Sequence, residues 1–110
     1  MLVIAVRSNL AASLDHLPVI FGVVLLHNAL AFATGWLAAT AARLDPRDRR
    51  AITIEVGIQN AGLALLITVD FFSGLGGMAL IAACWGVWHL IAGFALVGAW
   101  RLRDRQAARA

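Results

Sequence analysis

Residues 17–42 and 71–100 carry no formally charged side chain, and that feature constrains the fold more than any other. A helix rises about 1.5 Å per residue and a bilayer core is about 30 Å thick, so either run can cross it. With 62% hydrophobic and 14% charged residues in a chain of 110, these runs are more than a water-soluble core could bury. The chain reads as a membrane protein. The same composition excludes a disordered chain. The lone Cys84 excludes an internal disulfide scaffold and a cysteine metal module.

A pI near 11.1 invites a nucleic-acid reading, but the placement of the charges argues against it. Eight of nine arginines fall in two clusters, Arg43, Arg47, Arg49 and Arg50, then Arg101, Arg103, Arg105 and Arg109, each flanking an apolar span without interleaved aromatics. That is the pattern of loops held on the cytoplasmic side, against anionic headgroups. Residues 1–16 read as the end of a preceding helix or an external loop, 17–42 as a first span with Pro18 in its opening turn, and 43–50 as a cytoplasmic loop. A second span follows at 51–72, an external turn at 73–77, a third span at 78–100 and a cytoplasmic tail at 101–110. Both clusters inside give three mutually consistent directions of crossing. An odd number of spans beginning from an apolar Met1 leads us to expect the C-terminal piece of a longer bundle. The Ala-rich, Lys-free composition leads us to expect a bacterial inner membrane.

Glu55 is the one carboxylate set within a span, where a charge costs at least ~2.5 kcal/mol on insertion scales. Gln59 lies one helical turn on, predicted on the same face, with Asn60 beside it and Gly57 between, where backbone leaves helical geometry at little cost. A helix interrupted near Gly57 frees carbonyls such as those of Val56 and Ile58. Carbonyls, a carboxylate and an amide form an all-oxygen set that suits a hard, weakly hydrated cation such as sodium. The alternative is a Glu55 that reaches back to the polar boundary to pair with Arg49 or Arg50. It leaves Gln59 and Asn60 unexplained.

The stretch TIEVGIQNAGLA at 53–64 resembles the signature of the bile acid:sodium symporter family, whose members read close to T-x-E-x-G-x-Q-N-[SA]-G-L-A at the start of the second-to-last helix. LHNALAFATGWLAA resembles the preceding helix of that family, and VWHLIAG at 87–93 its last helix. The resemblance covers nearly all of this chain and about the last third of the family's length. It implies that the Glu55 carboxylate bridges two sodium positions, with Gln59 and the carbonyls of Val56 and Ile58 completing one of them. It also implies that Asn60 and His89 face the substrate cavity. Leu90 stands where many relatives carry Asn, which implies a different substrate head group. In the family a second broken helix from an inverted repeat supplies the remaining ligands. That half has no counterpart in these residues.

His89 shares a helical face with Ala82, Gly86 and Gly93 and so points into the bundle, for an interhelical hydrogen bond or a substrate contact. Asn28, Ala31 and Gly35 form a second such face, on which Asn28, and His27 beside it, read as structural hydrogen-bonding groups. Trp36 and Trp100 read as interfacial anchors, Trp85 and Trp88 as packing, and Asp70 as an outer-interface residue. No catalytic arrangement or nucleotide loop is present in the sequence, and no cofactor beyond a sodium ion is expected. The expectation is therefore an all-α membrane protein of three transmembrane helices, the middle one broken, corresponding to the C-terminal core helices of an inverted-repeat transporter. Its expected role is sodium-coupled symport of an organic anion. The alternatives are a carrier for another small organic acid and a membrane scaffold without transport. The expected partners are the lipid bilayer, the organic-anion substrate, and an N-terminal half or other copies of the chain.

Overall fold

The computed structural model describes residues 10–73 and 75–110, with side chains from Asp15 onward. The reading of residues 1–9, and that of position 74 within the expected external turn, lie outside the described residues. Four helices follow one another: α1 Leu10–Ala41, α2 Pro46–Gly57, α3 Ala61–Phe71 and α4 Gly76–Ala107. There is no strand among the described residues. Asp15–Ala41, Pro46–Phe71 and Gly76–Ala107 are long and apolar enough to cross a membrane, α2 and α3 together making the middle crossing. The fold is all-α, with a break in its second span.

Pro18 departs from its expected place. It lies inside α1 rather than in the first turn, because the helix already runs from Leu10 through good helix formers. An interior proline leaves one carbonyl a turn earlier without its donor, a cost that membrane helices accommodate through local adjustment. The α1–α2 turn follows local rules more closely. Arg43 takes a left-handed φ of 55°. Its N–H donates to the Thr40 carbonyl at 2.9 Å and the Leu44 N–H to the Ala39 carbonyl at 3.1 Å, which closes a Schellman turn. Asp45 then caps α2, its Oδ1 accepting from the N–H groups of Arg47 at 2.8 Å and Asp48 at 3.0 Å, while Pro46 starts the helix where no donor is needed.

The core is a narrow seam of small and polar residues. On α1, Val24, Asn28, Gly35 and Ala39 are buried at helical spacing, and on α4 Ala79, Ala82, His89 and Gly93 are buried likewise. A Cβ on Gly35 would lie 3.0 Å from the Thr53 Cα and 3.1 Å from the Ile52 carbonyl oxygen, so the glycine lets α1 and α2 approach backbone to backbone. The threonines in these helices satisfy themselves. Thr34, Thr40, Thr53 and Thr68 each donate their hydroxyl to the carbonyl four residues back, at 2.7–2.8 Å. Large apolar side chains such as Val19, Phe71 and Phe94 stand outward and exposed, as lipid-facing surface does.

The two arginine clusters lie at one end of the bundle. Arg50 donates twice to the Asp104 carboxylate, at 2.6 and 2.8 Å, joining the start of α2 to the end of α4. Trp36 and Trp100 stack with ring centroids 6.2 Å apart. Arg49 covers Trp36 at 5.2 Å and Arg50 covers Trp100 at 5.4 Å. The ion pair is solvent-facing and adds little stability by itself, but its bidentate geometry fixes which helix ends meet.

Candidate ion-binding site

The middle crossing breaks because three successive local preferences oppose continuation. Ile58 leaves helical geometry at φ −95°, ψ 94°, its N–H still donating to the Ile54 carbonyl at 2.8 Å. Asn60 then restarts the chain as the cap of α3, its Oδ1 accepting the Leu63 N–H at 3.0 Å. Gly57, the last residue of α2, supplies room. A Cβ there would fall 2.1 Å from Cε1 of the Phe32 ring. The sequence argument gave Gly57 the task of leaving helical geometry. Its φ is not left-handed, and its need is steric, because Phe32 of α1 presses on its backbone.

Among the described residues, the carbonyls of Glu55, Val56 and Ile58 receive no backbone or side-chain donor, since the amides that would bond them in an unbroken helix, of Gln59, Asn60 and Gly62, belong to the break and to the first turn of α3. Neighbouring carbonyls are occupied. That of Gly57 accepts from the buried Asn28 Nδ2 at 2.9 Å, and that of Gln59 from the Ala61 N–H at 3.0 Å. Three carbonyl oxygens thus remain uncommitted at the C-terminal end of one half-helix, where the peptide dipoles favour a cation.

Glu55 is exposed and forms no hydrogen bond or ion pair among the described residues. The arginines that could neutralise it from the boundary are engaged elsewhere. Arg50 holds Asp104, and Arg49 donates to the Leu44 carbonyl at 3.1 Å and covers Trp36. Gln59 does not continue the helical face of Glu55 as expected, because α2 ends at Gly57 and the extended backbone of Ile58 turns the chain out of register. Instead Gln59 and Asn60 line a cavity of about 80 Å³ with Ala61, Ala64, Ala82 and Trp85. Among the described residues, no three His, Cys, Asp or Glu side chains gather into a metal-binding group, so any ion here rests on carbonyl, amide and single-carboxylate oxygen.

His89 is buried at 5% exposure, with no partner for Nδ1 among the described residues. It lies on the seam but is not among the residues lining the 80 Å³ cavity. Around it α4 packs on the break itself. A Cβ on Gly86 would meet Ala61 at 3.2 Å, and one on Gly93 would meet Ile58 at 2.8 Å. His27 packs edge-on against Trp85 at 4.3 Å.

Asn28 makes a structural hydrogen bond, as expected of it, and Phe32 and Trp85 matter more here than local sequence argument allowed. Asn28 holds the Gly57 carbonyl, Phe32 fills the space above Gly57, and the Trp85 indole N–H is buried beside Gln59 and Asn60 without an acceptor among the described residues. Asn28 was traceable from its seven-residue spacing to Gly35, and Trp85 from its four-residue spacing to His89. Asn28→Leu should strand the Gly57 carbonyl and lower stability by about 1 kcal/mol, read from thermal unfolding of the purified chain in detergent. Gly57→Ala should cost about 1–3 kcal/mol in the same assay, because an aromatic ring must leave its site to admit one methyl group.

No protein-family model matches the chain. Over 90 residues, 80% of its length, the chain is 38% identical to a Bacillus subtilis (strain 168) protein named as an uncharacterized sodium-dependent transporter, YocS. It spans 27% of that relative's length. Three apolar crossings and similarity to a transporter make the chain an integral multi-pass membrane protein.

Proposed function

We propose that the chain forms the cation-binding portion of a sodium-coupled symporter for an organic anion, of the bile acid:sodium symporter type. The observation that carries this reading is the presence within residues 55–58 of three undonated carbonyls, of Glu55, Val56 and Ile58, and of a Glu55 carboxylate without a counter-charge among the described residues. Sodium is held by the Glu55 carboxylate, the Val56 and Ile58 carbonyls and Gln59. Its charge offsets that of Glu55 and removes the cost of an intramembrane carboxylate. Asn60 and His89 meet the substrate. The N-terminal end of α3 contributes a positive dipole beside Asn60, which favours the anionic group of an organic acid. The relative's description as sodium-dependent supports the choice of ion.

Each half of the cycle follows from this arrangement. Sodium binding draws the end of α2 and the cap of α3 around one ion, and the ordered break presents Asn60 to the substrate. Release to the low-sodium side leaves the carbonyls open again. A second structural unit supplies the ligands that one break lacks and the surface against which the bundle rocks. The alternative within transport is a related carrier for another small organic acid.

The working orientation puts residues 43–50 and 101–110 on the cytoplasmic side of a bacterial inner membrane, since arginine-rich loops are retained there. Single cysteines at positions 47 and 105, in a Cys84→Ala background, should resist an impermeant thiol reagent in intact cells and react after permeabilisation. Efficient labelling from outside would invert the orientation. The functional reading itself is tested by radioactive sodium binding to the relative carrying this chain's matching segment. Glu55→Ala and Gln59→Ala should each weaken binding, and Asp70→Asn should not.

A further inference from the structure

At the arginine-rich end, α1 and α4 leave a groove of about 420 Å³ whose walls include Phe32, Leu96, Trp36, Trp100, Thr53 and Arg103. Its chemistry changes along its length. Phe32 and Leu96 make the deep end apolar, the stacked Trp36 and Trp100 rings form the middle, and Arg103 stands at the mouth. From Leu96 to Arg103 the helix rises roughly 10 Å at 1.5 Å per residue. That is about the distance needed to pass from hydrocarbon through the headgroup layer of a bilayer leaflet.

We infer that this groove is a binding site for an anionic phospholipid, with an acyl chain along Phe32 and Leu96, the glycerol region against the tryptophan pair and the phosphate on Arg103. Charge complementarity selects the occupant. The end of the bundle around the groove, residues 43–50 and 101–110, carries eight arginines against three aspartates. Arg49 and Arg50 are spent on the tryptophan faces and on Asp104, whereas Arg103 has no hydrogen bond or ion pair among the described residues. Guanidinium groups take phosphate oxygens in paired, directional hydrogen bonds, and indole rings settle at the level of the glycerol backbone. A protein partner would need neither the deep apolar slot nor its graded approach to the surface. The site does not rest on the sodium-transport reading, since none of the proposed ion or substrate ligands lines it and it meets the break only through Phe32, which packs on Gly57.

The test is native mass spectrometry of the detergent-solubilised chain, mixed with equimolar phosphatidylglycerol and phosphatidylcholine of the same acyl composition. The chain should retain phosphatidylglycerol over phosphatidylcholine by about fivefold, the preference expected for one arginine facing an anionic lipid. Arg103→Ala should bring the ratio close to one, and Arg103→Lys should keep most of it. Arg47→Ala, which removes an equal charge outside the groove, should leave it nearly unchanged. Equal retention of the two lipids by the unaltered chain would overturn the site. So would an equal fall in Arg47→Ala and Arg103→Ala, which would mean diffuse surface attraction, or lipid-free dimers, which would mean that a second copy covers the groove.

Discussion

Glu55→Ala should abolish sodium-dependent uptake by any assembly that contains this segment, a loss of at least about tenfold at saturating sodium. The magnitude follows from the role proposed for the carboxylate. A sodium ion entering the break exchanges water for oxygen ligands, and carbonyl dipoles alone leave its full charge at membrane depth. One intramembrane charge costs about 2.5–3.5 kcal/mol even on the mildest scale, so removing the neutralising carboxylate leaves the bound ion bearing a cost of that order. Gln59→Ala removes a neutral oxygen and should cost less while moving in the same direction. Asp70→Asn should leave uptake essentially intact, because Asp70 sits near the far end of α3, an exposed residue a full helix away from the undonated carbonyls. Uptake by Glu55→Ala equal to that of the parent would remove the ion from the break.

The chain by itself, reconstituted in liposomes, should drive no sodium-gradient-dependent uptake of taurocholate or of small organic acids. The break supplies three undonated carbonyls and one carboxylate, all from the single short stretch of residues 55–58. An ion held that way stays partly open to water, and nothing stands opposite for the bundle to rock against. Supplying the remainder of the relative, to which this chain corresponds over 27% of the length, should restore uptake. Robust uptake by the purified chain alone would require several copies to build the opposed half between them.

The features legible in the sequence are those set by neighbours within a few residues. Uncharged runs give crossings, and the cluster Glu55, Gly57, Gln59, Asn60 marks an interrupted crossing, both of which depend on local rules. Other features depend on which helix face meets which, and the sequence is silent there. Asn28 and Gly57 are bonded across 29 positions, and no spacing rule joins them. Gly57 illustrates the difference well. Its presence in the break was evident, but the reason lay in the ring of Phe32 on another helix rather than in its own dihedral freedom. The misplaced Gln59 has the same origin. A helical wheel drawn through residues 55–59 assumes continuity, and the break it helps to identify ends that continuity at Gly57. Trp85 was read as packing because indole rings in crossings usually pack, and only the cavity beside Gln59 reveals its unpaired N–H.

The most direct test of the account is equilibrium binding of radioactive sodium to the purified Bacillus subtilis relative carrying this chain's matching 90-residue segment in place of its own. It requires no knowledge of the substrate. The account predicts saturable sodium binding that Glu55→Ala eliminates, that Gln59→Ala weakens, and that Asp70→Asn leaves untouched. Saturable binding of equal strength in the parent and in Glu55→Ala would contradict it.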